Sequence, residues 1–561
     1  MVFQFQLPFP VTSFLQMNHP QTHSDALFGK SPLISEWEKN IDMIFQQLIE
    51  NYEGGFDVQD INLKIASRIK IGCQIPPPNV VILDAGPAPK NNENVFSSIN
   101  MYFDDLGQHI IDVACDEAIF RRTKSYHNDN MTGRFILGGW HTSKAMCSAL
   151  ITAFSGYGIY NIAAALGVRF LEALEKNVDY RATSCVLELI WVAVGISINQ
   201  YVLKRNMTIS DILEENNYVL RVWFLYYRYF GFWKCHQLGI RRGNFEMQIE
   251  NLAAFAPLFP VTGKSNYAGS VVFFLESIHR NPEQKELLTY VSSVNLTREG
   301  HYFAFDEALE FFGVKFIKQN ITGKVTDLEN LMLQIKSVQS EHERMMLLFS
   351  EFVEDNTVVK GSHAAMQRKE VLWSLVNELN KAFNLPDPKM HDFFKNAKEM
   401  NESGFVKMFE SYEIGIKRLN HILHQDIYKT EPQSKIGRRK KFLSHIKVSE
   451  QNEYNKEQNP IKTKQINDDL PAVIEEMLSA TSDERVQVRS SLPKNKKYTE
   501  EEQVILQELL NYSIELQKEV GMRIYEELVK INNTWTYKKV RDYWYYHVKR
   551  KSKNVENVAE S

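Results

Sequence analysis

The sequence contains little cysteine, and its cysteines are not paired. Its 561 residues include five cysteines, which lie far apart and form no CxxC pair. An odd number of isolated cysteines is not typical of a disulfide framework, and the paired spacing of common zinc sites is missing. The sequence therefore predicts a reducing, intracellular compartment and no zinc site.

Two targeting features are also missing. The first ten residues, MVFQFQLPFP, lack the basic segment and the cleavage site of a secretory signal peptide. The most apolar stretch, Cys185 to Leu203, is interrupted by Glu188, Asn199 and Gln200. Polar residues within such a stretch favour a buried helix over a membrane span, so we expect no membrane partner.

The sequence has no excess of basic charge. Lysine and arginine number 65 against 69 acidic residues, which gives a formal net charge of −4. This balance excludes a uniformly basic surface, so any contact with nucleic acid must come from a local patch. A hydrophobic content of 44% and an aromatic content of 12% allow substantial buried cores.

Short apolar runs in the first third of the chain predict an α/β region. The runs Val80–Asp84, His109–Asp116 and Phe135–His141 have the length and composition of buried strands. From Thr142 onwards the apolar spacing is that of long helices. The fold class that we predict is therefore α/β plus all-α.

We predict four segments along the chain, of which the polar linker is set apart by its composition. An α/β region is followed by a helical region, a polar linker with few aromatic residues, and a compact carboxyl-terminal domain. The predicted bounds are residues 1–330, 331–426, 427–497 and 498–553.

The polar linker contains the basic cluster Arg438-Arg-Lys-Lys441, with Lys435 just before it. A cluster of this kind can act as a nuclear-localisation signal, and an ordinary solvated run of charges has the same composition. On the first of these interpretations we expect the protein to be nuclear.

The carboxyl-terminal segment has the pattern of three short helices. Thr499 can cap the first, and Glu500–Glu502 complement the positive end of its dipole. Met522–Ile531 has helical apolar spacing. Thr536 can cap a third helix that runs to about Lys551.

The third predicted helix has an apolar side and a basic side. Val540 and Trp544 are four residues apart and share one face, which we assign to the interior. Lysine and arginine on the remaining surface can displace counterions from a phosphate backbone, and Tyr545 and His547 can reach base edges. The predicted DNA-binding residues are Lys538, Lys539, Arg541, Tyr545, His547, Lys549, Arg550 and Lys551.

This segment resembles the Myb/SANT family of DNA-binding, helix-turn-helix domains. The family's opening motif is similar to Tyr498-Thr-Glu-Glu-Glu502, and its recognition-helix motif is similar to Lys539-Val-Arg-Asp-Tyr-Trp544. The segment also resembles a homeodomain, but Tyr546 stands where that family has a nearly invariant asparagine. The resemblance implies binding of double-stranded DNA. SANT domains also bind protein tails, so an interaction with chromatin proteins is the alternative.

Acidic residues in the α/β region could carry chemistry. Asp84 and Asp116 each end a predicted strand, and Asp306 and Glu310 are spaced to share one face of a predicted helix. Carboxylates that converge in this way can bind paired magnesium ions for phosphoryl transfer. His141 could order such a site, although acids and histidines at these positions often have only structural roles.

Three blocks in the same region resemble an uncharacterised transposon-derived family with an RNase H-like core. The first joins an Asp-Glu-Ala segment to a Leu-Gly-Gly-Trp-His segment and a Gly-Tyr-Gly turn. The second contains Gly-Asn-Phe and Asn-Tyr motifs, and the third an Asp-x-Ala-x-Glu motif. Their positions are Ile110–Phe120 with Leu137–His141 and Gly156–Gly158, then Arg242–Glu246 with Ala256–Phe259 and Asn266–Tyr267, then Asp306–Glu310 with Lys318 and Gly323.

The resemblance implies an RNase H-like fold with long helical insertions and a magnesium site. Transposases of this fold use two aspartates and a glutamate, and Asp116 and Glu310 match the second and third of them. The first would lie before Met1, and Val314 stands where the family tends to have asparagine. We therefore expect a transposon-derived nuclear DNA-binding protein without catalysis and without a cofactor. An active, magnesium-dependent transposase or nuclease is the alternative.

Overall fold

The computed structural model describes twelve stretches of the chain, which divide between two compact units, Met1–Ala480 (unit 1) and Thr481–Ser561 (unit 2). The stretches are residues 2–8, 26–51, 55–81, 89–107, 110–129, 133–295, 302–310, 369–432, 441–450, 505–506, 518–531 and 537–544.

Unit 1 is mostly helical. Asn and Asp side chains begin several of its helices, as when Asp57 and Asp60 form a reciprocal capping box at the start of the second helix. The described helices are α1 (Pro32–Asn51), α2 (Val58–Arg68), α3 (Asn92–Leu106), α4 (Glu117–Asp129), α5 (Gly139–Phe154), α6 (Ile159–Ala165), α7 (Leu171–Glu175), α8 (Tyr180–Arg205), α9 (Tyr218–Arg241), α10 (Phe245–Phe255), α11 (Leu258–Val261), α12 (Ser265–Arg280), α13 (Pro282–Val291), α14 (Phe305–Ala308), α15 (369–384) and α16 (Glu402–Ile422).

Among the described residues, two small sheets accompany these helices. β1 (Val2–Gln4) pairs antiparallel with β2 (Asn79–Val81). β3 (Ile111–Cys115) pairs in parallel with β4 (Gly133–Leu137). Parallel neighbours need a crossover connection, and α4 lies in the segment that joins them. A largely helical chain with small sheets agrees with the coarse α/β plus all-α prediction.

The predicted buried strand at Val80–Asp84 needs correction. The observed strand, β2, ends at Val81, whose side chain is 41% exposed. Val81 is exposed because, within the described residues, β2 pairs on one side only, with β1. Asp84 lies outside the described residues.

The predicted strand at Phe135–His141 also needs correction. β4 ends at Leu137, and α5 begins at Gly139. Gly138 makes the turn between them, where its N–H donates to the carbonyl of Cys115 at 2.8 Å. His141 therefore lies in the first turn of a helix and not at the end of a strand.

The centre of unit 1 is formed by α8 and α9. Nearly every side chain of α9 is buried, including Trp223, Tyr226, Phe230 and Trp233. Its amino end is capped by Asn217, whose side-chain oxygen accepts from the N–H of Leu220 at 3.0 Å. The aromatic run from Trp223 to Trp233 therefore lies in a core helix.

Helix α8 contains the most apolar stretch of the sequence. It is 26 residues long and is apolar enough to cross a membrane by length and composition, but 72% of its most apolar window is buried inside the protein. Asp179 caps its amino end, and Asn206 ends it in the left-handed conformation at φ 56°. The helix is a buried core element, as predicted.

Part of the predicted polar linker belongs to the core of unit 1. Leu443 and Val448 are 2% and 1% exposed and join the same hydrophobic cluster as α8 and α9. The N–H groups of Phe442 and Leu443 both donate to the carbonyl of Val261, at 2.9 and 3.0 Å. The linker prediction for 427–497 is therefore corrected for residues 441–450, whose few apolar side chains are diluted among polar neighbours.

Unit 2 is described in part. α17 (Lys518–Ile531) and α18 (Tyr537–Trp544) pack together with the helical pair of residues 505–506. Their buried side chains form one cluster, in which Val540 is 0% and Trp544 is 7% exposed. The inward assignment of Val540 and Trp544 is confirmed. The other members of the cluster are Leu506, Ile524 and Leu528.

Candidate functional site

The carboxyl ends of β3 and β4 meet at one edge of their sheet. Asp116 directly follows β3, and Gly138 directly follows β4 and leads into α5. In open α/β sheets this edge is where ligands commonly bind. We call the side chains of Asp116, His141, Asp306 and Glu310 the carboxyl-edge site.

Asp306 is the best-anchored acid of the carboxyl-edge site. Its carboxylate accepts from the N–H of Trp140 at 3.1 Å and from the N–H of His141 at 2.9 Å, both in the first turn of α5. Only 6% of the residue is exposed. A carboxylate at the positive end of a helix is stabilised by the free N–H groups there.

Gly138 allows this close approach. A Cβ at that position would lie 2.5 Å from Oδ2 of Asp306 and 3.0 Å from the carbonyl oxygen of Cys115. Both distances are too short for a side chain, so the turn between β4 and α5 requires glycine. Packing thereby explains the first glycine of the Leu-Gly-Gly-Trp-His block.

His141 pairs with Asp306 through its side chain as well. The imidazole Nδ1 lies 3.0 Å from Oδ2 of Asp306. Burial lowers the pKa of His141, but the hydrogen bond and charge of Asp306 raise it more, and the charges of Asp116 and Glu310 add to the rise. The four residues of the carboxyl-edge site therefore interact electrostatically.

Asp116 has a local structural role. Its Oδ1 accepts from the N–H of Ile119 at 2.9 Å and so caps α4. The next residue, Glu117, is buried and accepts from the hydroxyl of Ser270 at 3.2 Å. The prediction that Asp116 ends a strand is confirmed, and one of its oxygens is occupied by the helix that follows.

The predicted pairing of Asp306 and Glu310 on one helix face needs correction. α14 ends at Ala308, and Glu310 follows in a wider turn. The carboxylate of Asp306 is drawn to the amino end of α5 instead. Glu310 is half-buried. Its negative charge contributes to the raised pKa of His141.

Glu307 forms a bidentate ion pair with Arg241 next to the carboxyl-edge site. Arg241, the last residue of α9, donates to both of its carboxylate oxygens, one of them at 2.7 Å. The same guanidinium donates to the carbonyl of Tyr302 at 3.0 Å. Sequence reasoning missed Arg241, because no spacing signal relates residues so far apart in the chain.

The second transposon-like block also reaches the site. The hydroxyl of Tyr267 donates to the carbonyl of His141 at 3.2 Å. Asp116 and Asp306 both contribute to a raised pKa of Tyr267, whose main cause is burial. Tyr267 therefore braces the first turn of α5.

Most of the acids at this edge already have partners within the protein. The oxygens of Asp306 already accept from two N–H groups and contact an imidazole, and Asp116 caps a helix with one oxygen. Within the stretches that the structure describes, no group of three or more His, Cys, Asp or Glu side chains is arranged to hold a metal ion. Asp116 and Glu310 remain predicted ligands only.

A small cavity lies behind the same turn. It has a volume of about 30 Å³, and its lining includes Gly138, Gly139 and His236 together with both apolar and polar side chains. The Nδ1 of His236 donates to the carbonyl of Gln248 at 2.8 Å, and burial lowers its pKa. This space suits one or two waters and is too small for a substrate.

Helix α18 is the observed part of the predicted DNA-binding helix. Val540 and Trp544 face the core, and Arg541 is exposed. Lys538 and Lys539 lie on the helix, but their side chains are outside the described residues. The remaining predicted contacts also lie outside them, namely Tyr545, His547, Lys549, Arg550 and Lys551.

Comparison with known proteins finds no matching family model, no matching curated protein and no matching solved structure. The Myb/SANT and transposon-derived resemblances therefore stay predictions that depend on their motifs.

Proposed function

We propose that this chain is a transposon-derived nuclear protein that binds double-stranded DNA through its last helix and has no catalytic activity. One observation carries the proposal. Val540 and Trp544 are buried in unit 2 while Arg541, between them in sequence, is exposed. A helix fixed from behind by two apolar anchors can present basic side chains to a phosphate backbone.

The charge pattern supports DNA over a protein tail. From Lys538 to Lys551 the sequence has six lysines and arginines and a single acid, Asp542. Such a segment favours a polyanion, because each phosphate contact releases a counterion. Tyr545 and His547 add groups that can reach base edges, which is what sequence-directed binding needs.

The contacts of the acids near the carboxyl-edge site support the proposal that the protein has no catalytic activity. Metal-dependent strand cleavage needs carboxylates that are free to bind the ions. Here Asp306 is engaged by α5 and His141, and Glu307 is engaged by Arg241. The acids of this edge serve to join α5, α9 and α14.

The decisive experiment measures duplex binding by fluorescence anisotropy at several salt concentrations. We expect Arg541→Ala/Lys549→Ala/Arg550→Ala to lower the slope of log affinity against log salt by about 2.7, which is about 0.9 for each phosphate that the variant no longer neutralises. Lys530→Ala removes an exposed lysine from α17 and is the control. Full affinity in the triple variant would contradict the proposal, and binding of histone peptides without DNA would favour the protein-tail alternative.

A further inference from the structure

A second basic surface lies on unit 1, around the amino end of α12. Lys264 immediately precedes the helix and is half-buried, and Lys441 is exposed. No ion pair with a carboxylate is found for either lysine within the described part of the chain. We call Lys264 and Lys441 the α12 lysine pair.

The two lysines are held together by the fold. The N–H groups of residues 442 and 443 donate to the carbonyl of Val261, which fixes the chain next to Lys441. The stem of Lys441 lies against Gly263, where a Cβ would be 2.7 Å from Cγ of Lys441. Gly263 has φ +82°, so this position strongly favours glycine.

The surroundings do not neutralise this charge. The ammonium of Lys264 donates to the hydroxyl of Ser148 at 2.6 Å, which is a neutral partner. Burial lowers the pKa of Lys264, and the neighbouring charge of Lys441 lowers it further. Like charges in a fixed arrangement repel each other, so an added anion would be stabilised between them.

The nearby carboxylates have other partners. Glu175 accepts from the N–H of Val448 at 3.0 Å and lies 3.5 Å from Nε2 of His445. Glu450 lies 3.9 Å from Nζ of Lys398. These acids therefore lie beside the lysine pair without forming an ion pair with it.

The helix end adds a second attraction for an anion. No side chain caps the first turn of α12, a helix of 16 residues. The first N–H groups of a helix have no partner within it, and they carry partial positive charge. In sequence, Arg438, Arg439 and Lys440 come directly before Lys441, and a run of charges matches a polyanion better than a single phosphate.

We propose that the α12 lysine pair and the amino end of α12 bind backbone phosphates of double-stranded DNA, as a contact separate from that of α18. The surface offers no pattern of base readout, so its contribution is independent of sequence. It would add affinity and salt dependence to whatever specificity α18 confers.

The test uses the full chain and a matched pair of double variants. Lys264→Gln/Lys441→Gln removes the two lysines, while Lys381→Gln/Lys395→Gln removes two lysines that pair with Glu378 and Asp392, each at 2.6 Å. We expect the first double variant to lower the salt slope of duplex binding by about 1.8, and the control to leave it unchanged. This corresponds to about a tenfold smaller loss of affinity between 50 and 200 mM salt.

A slope equal to that of the control would overturn the proposal. Because Lys264→Gln changes a half-buried residue, Lys441→Glu alone, at an exposed position, provides a second arm with an expected slope decrease of about 0.9 or more. A small phosphate ligand is the competing outcome. In that case inorganic pyrophosphate would stabilise the wild type, and the salt slope of duplex binding would be unchanged in both variants. That result would overturn the DNA contact.

The test of the α12 lysine pair can be distinguished from the test of DNA binding by α18. In the Arg541→Ala/Lys549→Ala/Arg550→Ala background, the α12 lysine pair should still contribute salt-sensitive binding that Lys264→Gln/Lys441→Gln lowers further. Loss of all binding in the triple variant alone would support the α18 contact and contradict the second surface.

Discussion

His141 and Asp306 are 165 residues apart in the chain, yet Asp306 holds both the imidazole and the backbone N–H of His141, at 3.0 and 2.9 Å. This double contact attaches the short helix α14 to the amino end of α5. It places an ionisable pair beside Asp116 and Glu310. At the carboxyl ends of β3 and β4, the side chains of His141 and Asp306 thus pair with each other within the protein.

The first prediction concerns pH and His141. Its folded-state pKa is raised by Asp306, so the stabilising contribution is fully present below the unfolded pKa of about 6.5. It is lost as the pH rises through the higher folded-state pKa. His141→Gln should therefore lower the free energy of unfolding more at pH 5.5 than at pH 9, by about 1–3 kcal/mol at the lower pH.

Urea unfolding followed by far-UV circular dichroism at the two pH values measures this difference. His279→Gln, at an exposed position in the last turn of α12, is the matched control. An equal loss of stability at both pH values would show that the pair with Asp306 is not charged in the folded protein.

The second prediction concerns Gly138. A methyl group there would meet Oδ2 of Asp306 at 2.5 Å and the carbonyl of Cys115. Gly138→Ala should cost about 1–3 kcal/mol, because the carboxylate or the strand must move. Gly231→Ala, in α9, meets nothing within 4 Å and should be neutral or stabilise by about 0.5–1 kcal/mol. Thermal melting of the two variants compares them, and similar melting temperatures would contradict the tight turn.

The third prediction concerns the segment 441–450. Leu443 is 2% exposed in the core of unit 1, so Leu443→Ala should lower the free energy of unfolding by about 2–5 kcal/mol. Lys447→Ala, four residues away and exposed, should change it by less than about 0.5 kcal/mol. Chemical denaturation measures both. If the two variants have the same stability, the segment behaves as the polar linker that composition predicts.

The sequence predicts the elements of this protein better than their contacts. The buried helix α8 follows from a long apolar stretch, and the inward pair Val540 and Trp544 follows from helical spacing; both are found. Periodicity reports which face of a helix is buried, because the spacing of apolar residues is set by the helix itself.

The candidate site could be predicted only in part. Asp116 was expected at the end of a strand, and it is there. The partners of Asp306 and Glu307 lie on α5 and α9, and no local pattern relates them to these acids. A turn through Gly138 and Gly139 also replaces the end of an expected strand, since an apolar run does not show where a strand stops.

The fourth prediction separates the fold of unit 2 from its binding. Trp544 is a main part of its small cluster, and Trp544→Ala should cost about 3–5 kcal/mol. A cluster of this size cannot absorb that loss, so α17 and α18 should lose amide-exchange protection and DNA binding together. Arg541→Ala should retain protection and lower the affinity only. Exchange measured by mass spectrometry on the full chain tests both, and protected helices in Trp544→Ala would contradict the packing.

The fifth prediction concerns Asp116 and strand cleavage. If the acids of the carboxyl-edge site only support the fold, purified protein should not nick supercoiled plasmid in magnesium or manganese. Asp116→Asn should then change neither nicking nor melting temperature, because asparagine caps a helix as well as aspartate does. Asp116→Ala should lower stability by about 1 kcal/mol through loss of the cap to Ile119. Metal-dependent nicking that disappears in Asp116→Asn would establish the transposase alternative, since the two side chains differ in charge and scarcely in shape.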